Sequence, residues 1–420
     1  MRDLVNRAWW TAAIALLVLT AGCERPPEAP VDEEVVVEDE APEEAQPQET
    51  VPDAPAVEVS TLPDEELAEG WVLLFDESTF FGWEVAGEAQ WRASEGILAA
   101  GGAAPGLLVT RARFADFELA VDFRAPEGAR GAVLVRADEE GTDEGSVRVG
   151  IAPPAADWPT GSIVGHVAAE TETLAETWHT LSLAAEGERI TVALDGQPVA
   201  EHAGAMPGRG HVALVFEGDP IEYRNIKLRP LGLASIFNGE DLSGWTTYPE
   251  MEGDFFVSEE GWLRAQGGRG QLETEGAYGD FVMQLEVICN SEEANSGVFF
   301  RCIPGSTMDG YESQIHNGFE EGDRTRPTDA GTGGIFRRQD ARYVVADDFE
   351  WFHKTILADG PHMAVWVDGY QVASWTDTRD PDPNPRRGLR LEPGTIMLQA
   401  HDPEMDVSFR NLEIIEQAPR

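Results

Sequence analysis

Positive charge and cysteine are both scarce in this chain of 420 residues. It has 30 Lys and Arg against 77 Asp and Glu, a formal net charge of −47, and its only lysines are Lys227 and Lys354. A surface this negative repels phosphate, so we expect no nucleic-acid partner. The three cysteines contain no CxxC pair, which argues against a zinc or redox site built from cysteine.

The chain also lacks an apolar run long enough to cross a membrane comfortably as a helix, since a span needs about 20 residues. Its longest apolar run, 8–21, follows Arg2 and Arg7 and ends shortly before Cys23. A short apolar segment after a positive start is typical of a secretion signal. We therefore predict a signal peptide over 1–22.

Aromatic residues are absent from 24–69, which contains 17 acidic residues and eight prolines. Such a segment cannot bury enough apolar surface to offset the entropy of ordering it, and its like charges favour extension. We predict that 23–69 is a disordered, acidic, Pro-rich tether. A docking tail for a basic partner is the alternative interpretation.

Long helical periodicity is missing as well, and from Gly70 onward the chain consists of two copies of one unit. The segments that recur in the same order are 74–76 with 236–238, 117–119 with 281–283, 131–136 with 297–302, 194–196 with 367–369, and 223–226 with 409–412. A common order of weak matches indicates an internal duplication. The second copy has extra residues at about 315–350 and 373–393, where loops can carry function.

Each copy is rich in predicted strands. Apolar residues alternate with polar ones over 117–123 and 281–289, and the Asp-Gly pairs at 195–196 and 368–369 are hairpin-turn signals. We predict an all-β fold of two tandem antiparallel β-sandwiches, 70–231 and 232–420. Cys289 and Cys302 are expected on neighbouring strands of one hairpin, out of register, as two free buried thiols.

Several motifs of the second copy stand in a specific order. They are Phe-Asn-Gly-Glu-Asp-Leu-Ser-Gly-Trp at 237–245, Asn-Ser-Gly-Val-Phe-Phe-Arg at 295–301, Gly-Tyr-Glu-Ser-Gln-Ile-His-Asn at 310–317, and Leu-Gln-Ala-His-Asp at 398–402. Together they resemble the 3-keto-disaccharide hydrolase family. The resemblance implies a concanavalin-A-like jelly roll and carbohydrate as the partner, with cleavage of oxidised glycosides. It is specific over 232–420 and fainter over 70–231, and Phe352 departs from it because many members have Asn there.

The signal peptide carries a second resemblance. Leu19-Thr20-Ala21-Gly22-Cys23 resembles the lipobox of bacterial lipoproteins, although Thr20 occupies a position that is usually aliphatic. This implies lipidation of Cys23 and a lipid-anchored protein of the bacterial cell envelope, either periplasmic or at the cell surface. An ordinary cleaved signal with an incidental cysteine is the alternative.

Three polar residues alternate along one predicted strand of the second copy. Glu312, Gln314 and His316 are spaced by two, so they project from one face of that strand. A buried strand face rarely carries three polar groups in a row, because unpaired polar groups are costly inside a protein. Either this face is a site or it faces solvent. We predict Glu312, His316 and His401 as catalytic residues, with the identity of the general base left open.

Six further residues are predicted to bind the substrate. They are Gln314, Arg301, Gln399, Tyr311, Arg337 and Asn295. An ion pair with a carboxylate is the alternative role for Arg301, and a solvated loop is the alternative for the segment around Arg337. No metal ligand is assigned and the cofactor is unknown, with a divalent ion near Glu312 and His316 left open as an alternative.

The two copies are expected to differ in function. Matching Gly145 with Gly310 places Val147 at the position of Glu312 and Val149 at that of Gln314. On this alignment we predict that the first copy is catalytically silent. A carbohydrate-binding surface lipoprotein without turnover is the alternative to an enzyme.

Overall fold

The computed structural model describes residues 59–138, 145–173, 175–218 and 220–417. The predicted signal peptide, Cys23 and most of the predicted tether lie outside the described residues. No helix in the described ranges is both long enough and apolar enough to cross a membrane. The described residues form two β-sandwiches of the same topology, which belong to one compact unit.

The first sandwich consists of thirteen strands. They are β1 (Val72–Leu73), β2 (Trp83–Gly87), β3 (Gln90–Ser94), β4 (Ile97–Gly101), β5 (Gly106–Phe114), β6 (Phe117–Arg124), β7 (Gly131–Ala137), β8 (Val147–Ile151), β9 (His179–Glu186), β10 (Arg189–Leu194), β11 (Gln197–Ala203), β12 (Gly210–Phe216) and β13 (Glu222–Pro230). One sheet has the order β11-β10-β9-β6-β13-β4-β3, with β1 also paired to β13. The other has the order β2-β5-β12-β7-β8.

The second sandwich repeats this arrangement with thirteen more strands. They are β14 (Ala234–Ser235), β15 (Trp245–Thr247), β16 (Asp254–Val257), β17 (Leu263–Gln266), β18 (Gly270–Thr274), β19 (Phe281–Cys289), β20 (Ser296–Cys302), β21 (Tyr311–Ile315), β22 (Phe352–Asp359), β23 (His362–Val367), β24 (Tyr370–Thr376), β25 (Thr395–Ala400) and β26 (Asp406–Glu416). Its larger sheet has the order β16-β17-β26-β19-β22-β23-β24, with β14 paired to β26. Its smaller sheet has the order β15-β18-β25-β20-β21.

The predicted fold class is confirmed, and its local signals behave as expected. In β6 every second residue from Phe117 onward is buried, which is the pattern of a strand with one face on a core. The turns at Asp195-Gly196 and Asp368-Gly369 each join adjacent antiparallel strands. All four turn residues have positive φ, from 45° to 76°, as a two-residue type I′ turn requires.

The two cysteines are free and buried, as predicted, but the predicted hairpin is wrong. Cys289 ends β19 in the larger sheet, and Cys302 ends β20 in the smaller sheet. The chain crosses from one sheet to the other between these strands. The cysteines are therefore separated by the topology of the sandwich rather than by a register offset.

Part of the predicted tether is folded. Residues 59–69 include the helix α1 (Asp64–Ala68), and Leu62 and Leu67 are buried together with Leu73. The main-chain N–H of Leu62 donates to the carbonyl of Asp368 in the second sandwich. Because the segment is acidic overall, its composition did not indicate that two of its leucines are buried.

Ion pairs and one buried tryptophan join the two sandwiches. Arg113 of β5 forms a bidentate pair with Asp359 at 2.6 and 2.5 Å, and Arg209 contacts Asp280 at 2.9 Å. The indole of Trp366, in the second sandwich, donates to the carbonyl of Leu73 at 2.9 Å. The two copies are therefore in direct contact through side chains and are not joined by the chain alone.

Candidate functional site

The candidate site lies on the outer face of the smaller sheet of the second sandwich. Along β21, Tyr311 and Ile315 point into the core, so Glu312 and Gln314 point away from it. The same outward face, called the polar face below, includes residues of three neighbouring strands by register. These residues are Gln271 and Glu273 on β18, Gly297 and Phe299 on β20, and Met397 and Gln399 on β25.

Glu312 is the most perturbed group of the polar face. Only 5% of its surface is exposed, and a Cβ at Gly297 would lie 2.8 Å from its Oε1, so glycine there leaves room for the carboxyl group. Arg386 places Nη2 3.4 Å from Oε2. Burial raises the pKa of Glu312 to about 7; Asp329 also raises it, and Arg386 lowers it. The carboxyl group is therefore poised to exchange a proton near neutral pH.

Gln314 and Asn295 are held by a shared carboxylate. Gln314 Nε2 donates to Asp329 Oδ2 at 2.9 Å, and Asn295 Nδ2 donates to the same oxygen at 2.7 Å. Asp329 comes from the extra segment at 315–350. The insertion thus builds one side of the site, as its position in the sequence suggested.

His316 lies at the end of β21 and is 8% exposed. Its Nε2 is 3.0 Å from Thr328 Oγ1, and its main-chain N–H donates to Thr332 Oγ1 at 2.9 Å. Both threonines belong to the same insertion. These contacts fix the ring next to Gln314, so the structure brings this predicted pair together.

Several buried polar atoms near Glu312 have no hydrogen-bond partner. They are Gln314 Oε1, Gln399 Oε1 and His316 Nδ1. A buried acceptor without a partner lowers the stability of a protein by roughly 1–3 kcal/mol. Such an atom is usually hydrogen-bonded to a ligand or a water molecule when it has no protein partner. Amide oxygens accept hydrogen bonds from hydroxyl groups, and a sugar presents several hydroxyls in a small space.

His401 lies at the edge of the site. It directly follows β25, two residues after Gln399, and its imidazole is exposed with Nδ1 2.8 Å from Asp402 Oδ1. It is close enough to lower the pKa of Glu312 through its charge. The structure therefore places His401 at the exposed rim of the site, whereas the carboxylate of Glu312 is buried.

Arg301 is not part of the site, and its predicted role in substrate binding is wrong. It is fully buried, adopts φ 49°, and binds Asp280 at 2.8 Å together with three main-chain carbonyls. Arg136 of the first sandwich has φ 51° and the corresponding partners, Asp116 and three carbonyls. Because both copies keep this arrangement, it belongs to the fold; the ion pair was the correct alternative.

Tyr311 also lies away from the polar face, whereas Arg337 lies in a segment beside β21, in which the main-chain N–H of Phe336 donates to the carbonyl of Glu312. The ring of Tyr311 stacks on Phe300 in the core, with its hydroxyl donating to Asp377 Oδ2 at 2.7 Å. Its strand position has the opposite parity to Glu312, so it cannot share that face. Arg337 is exposed, with its guanidinium 5.2 Å from the ring of Phe336. The ring of Tyr311 thus belongs to the core, and the role of Arg337 in substrate binding stays a prediction.

Two charged residues of the site were missed by the sequence reasoning. Arg386 and Asp329 come from the two extra segments, at 373–393 and 315–350. The only signal in the sequence was the position of these insertions, because neither residue lies in a strand whose periodicity could orient it. Arg386 is anchored by Nε donating to the carbonyl of Met308 at 3.1 Å, and its guanidinium lies 5.1 Å from the ring of Phe299.

The first sandwich differs from the second at every position of this face, although the predicted alignment was off by one residue. Both Val149 and Ser313 form a bridge to an isoleucine, Ile163 and Ile335 respectively, so they are equivalent. Glu312 therefore corresponds to Arg148 rather than Val147, and a shift of one residue exchanges the two faces of a strand. The other replacements, read from the same registers, are Gln314 by Gly150, His316 by Ala152, Gln399 by Val215, His401 by Glu217, Glu273 by Val109 and Gln271 by Leu107.

The replaced residues make the equivalent face of the first sandwich mostly apolar, with one ion pair on it. Arg148 pairs with Glu217 at 2.5 Å, where the second sandwich has Glu312 and His401. Val109, Ala132, Leu134, Ala213 and Val215 form a hydrophobic cluster in place of the polar groups. The chemistry of the second face is therefore not required by the fold.

No metal centre is evident in the described part of the chain. No group of three or more His, Cys, Asp or Glu side chains is arranged there to hold a metal ion. Glu312 and His316 have no third side chain of this kind beside them among the described residues. The polar face offers hydrogen-bonding groups and two carboxylates, those of Glu312 and Glu273.

Both sandwiches match the family of the 3-keto-alpha-glucoside-1,2-lyase-like domain, over residues 70–229 and 232–415. The chain belongs to this family and contains two tandem copies of its domain. A search among curated proteins found no match.

Comparison with solved structures found two candidate glycosyl hydrolases from Parabacteroides distasonis. One is 16% identical and covers 42% of this chain and 100% of its own, with a TM-score of 0.38; the other is 24% identical and covers 38% and 99%, with a TM-score of 0.35. The carbohydrate-binding module CBM66 from Bacillus subtilis is 16% identical and covers 35% and 95%, with a TM-score of 0.31. The family match, rather than these structures, establishes the assignment.

Proposed function

We propose that the second sandwich cleaves the bond between C1 and its substituent in 3-keto-glycosides, with Glu312 as the base. The observation that carries this proposal is a buried carboxyl group whose pKa is raised to about 7. A base whose pKa lies near the working pH is largely unprotonated there and is still basic enough to take up a proton from the substrate. The family match and the unpartnered amide oxygens beside Glu312 support a sugar as substrate.

The proposed reaction begins with removal of the proton at C2, which is acidic because the carbonyl group at C3 stabilises the resulting enolate. The electron pair of the C2–H bond forms the C2–C3 double bond, and the C3 oxygen becomes negative. The negative oxygen then reforms the C3 carbonyl, and the electron pair of the C2–C3 double bond moves to form a C1–C2 double bond. The bond from C1 to the leaving oxygen breaks in the same step, and that oxygen takes up a proton. Water then adds, with its hydroxyl at C1 and a proton at C2, so the net reaction is hydrolysis.

The residues around Glu312 fit these charges. Arg386, with Nη2 3.4 Å from Glu312 Oε2, is positioned to stabilise the enolate oxygen of a substrate whose C2 proton reaches that carboxylate. His401, exposed at the rim, is our choice for the acid that protonates the leaving oxygen. His316 and Gln314 would hold the ring hydroxyls.

A direct glycosidase mechanism is less well supported. It requires two carboxyl groups about 5–9.5 Å apart on either side of the bond. The other carboxylate on the polar face, Glu273, lies three strands from Glu312, which corresponds to about 14 Å at normal strand spacing. Asp329 influences Glu312, but its Oδ2 already accepts the amides of Asn295 and Gln314. Elimination needs only one base.

The test is turnover of a p-nitrophenyl 3-keto-glucoside by the full chain, beside the same glucoside with its ordinary 3-hydroxyl group. We expect cleavage of the keto compound alone, with a slower rate when C2 carries deuterium. Glu312→Gln should remove turnover, while Arg148→Gln, at the equivalent position of the first sandwich, should keep it. Binding of both sugars without cleavage of either would favour a carbohydrate-binding protein instead.

We also propose that the protein is anchored in the bacterial cell envelope by lipid on Cys23. The support is the sequence Leu19–Cys23 after a short apolar segment. Mass spectrometry of the N-terminal peptide from cell membranes should show an acylated Cys23, and Cys23→Ser should release the protein from the membrane fraction. A mature N-terminus beyond Cys23 would contradict this proposal.

A further inference from the structure

A fully buried lysine lies behind the strand that carries Glu312. Lys354 is on β22 in the larger sheet, and it has no exposed surface. Its Nζ crosses the interior and donates to the main-chain carbonyls of Ser313 at 3.1 Å and Gln314 at 2.7 Å. One ammonium group thus links the two sheets at the residues that follow Glu312.

This lysine is energetically unusual. Both hydrogen bonds go to neutral carbonyls, and burial lowers the pKa of Lys354 to about 7. Burial of a charged group whose hydrogen-bond partners are all neutral is costly, and its replacement by an apolar residue of similar size is often neutral or stabilising. A residue of this kind therefore needs a reason other than fold stability.

The first sandwich shows that the fold does not need a charge at this position. Lys354 pairs with Leu285 on β19, and the equivalent pair in the first sandwich is Leu181 with Val121. Leu181 is also fully buried. The lysine thus occurs in the sandwich with the polar face, and a leucine occurs in the sandwich whose equivalent face is apolar.

We propose that Lys354 is a positioning residue for Glu312: its ammonium group fixes the edge strand β21 from behind and supplies positive charge close to the carboxylate. The catalytic part of this inference rests on the proposed function. Lys354 does not touch the polar face itself, since its hydrogen bonds reach only the main chain of β21.

The charges around the pair determine the expected effect. The charges of Arg386, Asp329, His401 and Lys354 affect the pKa of Glu312. The pKa of Lys354 is affected by Cys289 and Glu312. Lys354 lowers the pKa of Glu312, so loss of its charge should raise that pKa further. A base with a higher pKa is more protonated at neutral pH, and the acid limb of the kcat/KM profile should move to higher pH.

The experiment compares the full chain with Lys354→Met, Lys354→Leu and the control Lys227→Met, which changes the only other lysine. We measure urea unfolding, the pH profile of kcat/KM on the 3-keto-glucoside, and the ¹³C titration of the Glu312 carboxyl, assigned with Glu312→Gln. Lys354→Met and Lys354→Leu should unfold at the wild-type urea concentration or above. Their Glu312 pKa and acid limb should both move to higher pH, which lowers kcat/KM at pH values below that pKa, while Lys227→Met should leave both unchanged.

Several outcomes would overturn the inference. Lys354→Met and Lys354→Leu that both fail to fold would show that the lysine is a structural requirement. Folded variants with an unchanged Glu312 titration would show that its charge does not act on the carboxylate. Absence of turnover by the wild-type chain would refute the proposed function, while the ¹³C titration would still decide whether Lys354 acts on Glu312.

Discussion

Replacement of Glu312 by glutamine should stabilise the protein while it removes activity. Burial raises the pKa of Glu312 from 4.5 to about 7, so the folded state holds this proton more tightly than the unfolded state does. The contribution of this group to stability is therefore largest below pH 4.5, and it is lost as the pH rises towards 7. Above pH 7 the penalty for the buried carboxylate is constant, at about 3 kcal/mol. Glutamine has no proton to lose and escapes this penalty.

Urea unfolding followed by tryptophan fluorescence at pH 4 and pH 8 measures the effect. At pH 8 Glu312→Gln should be more stable than wild type by up to about 3 kcal/mol, and at pH 4 the difference should nearly vanish. Glu259→Gln is the matched control, because Glu259 is exposed and its change should matter little at either pH.

Two results would refute the reasoning. A glutamine variant that is less stable than wild type at pH 8 would show that the carboxylate is held by favourable contacts rather than tolerated. An equal gain at pH 4 and pH 8 would show that the effect comes from packing and not from a buried charge. Either result would remove the basis for Glu312 as a base that titrates near neutral pH.

The remaining predictions concern the surroundings of Glu312. Arg386→Met removes a positive charge that lowers the pKa of Glu312, so the acid limb of kcat/KM should move to higher pH; an unmoved limb would place Arg386 outside the site's electrostatics. Gly297→Ala places a Cβ 2.8 Å from Glu312 Oε1, so it should reduce kcat strongly and lower the free energy of unfolding by about 1–3 kcal/mol; full activity would contradict the described position of the carboxylate.

The features that sequence could predict were those with a strict period or a fixed turn chemistry. Alternation along 117–123 and 281–289 and the two Asp-Gly turns specify strands and hairpins, and the repeat specifies two sandwiches. The spacing of Glu312, Gln314 and His316 by two residues correctly placed the first two on one outward face, with His316 next to them. These features depend only on residues that are close together in the sequence, so they could be predicted from it.

Other features depend on how distant segments meet. Arg386 and Asp329 reach Glu312 from irregular loops, where no periodicity orients a side chain. Positive φ at Arg136 and Arg301 disturbs the strand ends, and the residue-by-residue match of the copies slipped by one near that point. Cys289 and Cys302 seemed close in sequence, yet the chain changes sheets between them. The buried position of Lys354 likewise follows from packing of two sheets.

The most direct test of the central claim is the fate of the C2 hydrogen. The full chain should cleave a p-nitrophenyl 3-keto-glucoside in D₂O and leave deuterium at C2 of the released 3-keto-sugar, and Glu312→Gln should do neither. Cleavage with complete retention of the original C2 hydrogen would contradict elimination through the enolate and, with it, the role assigned to Glu312.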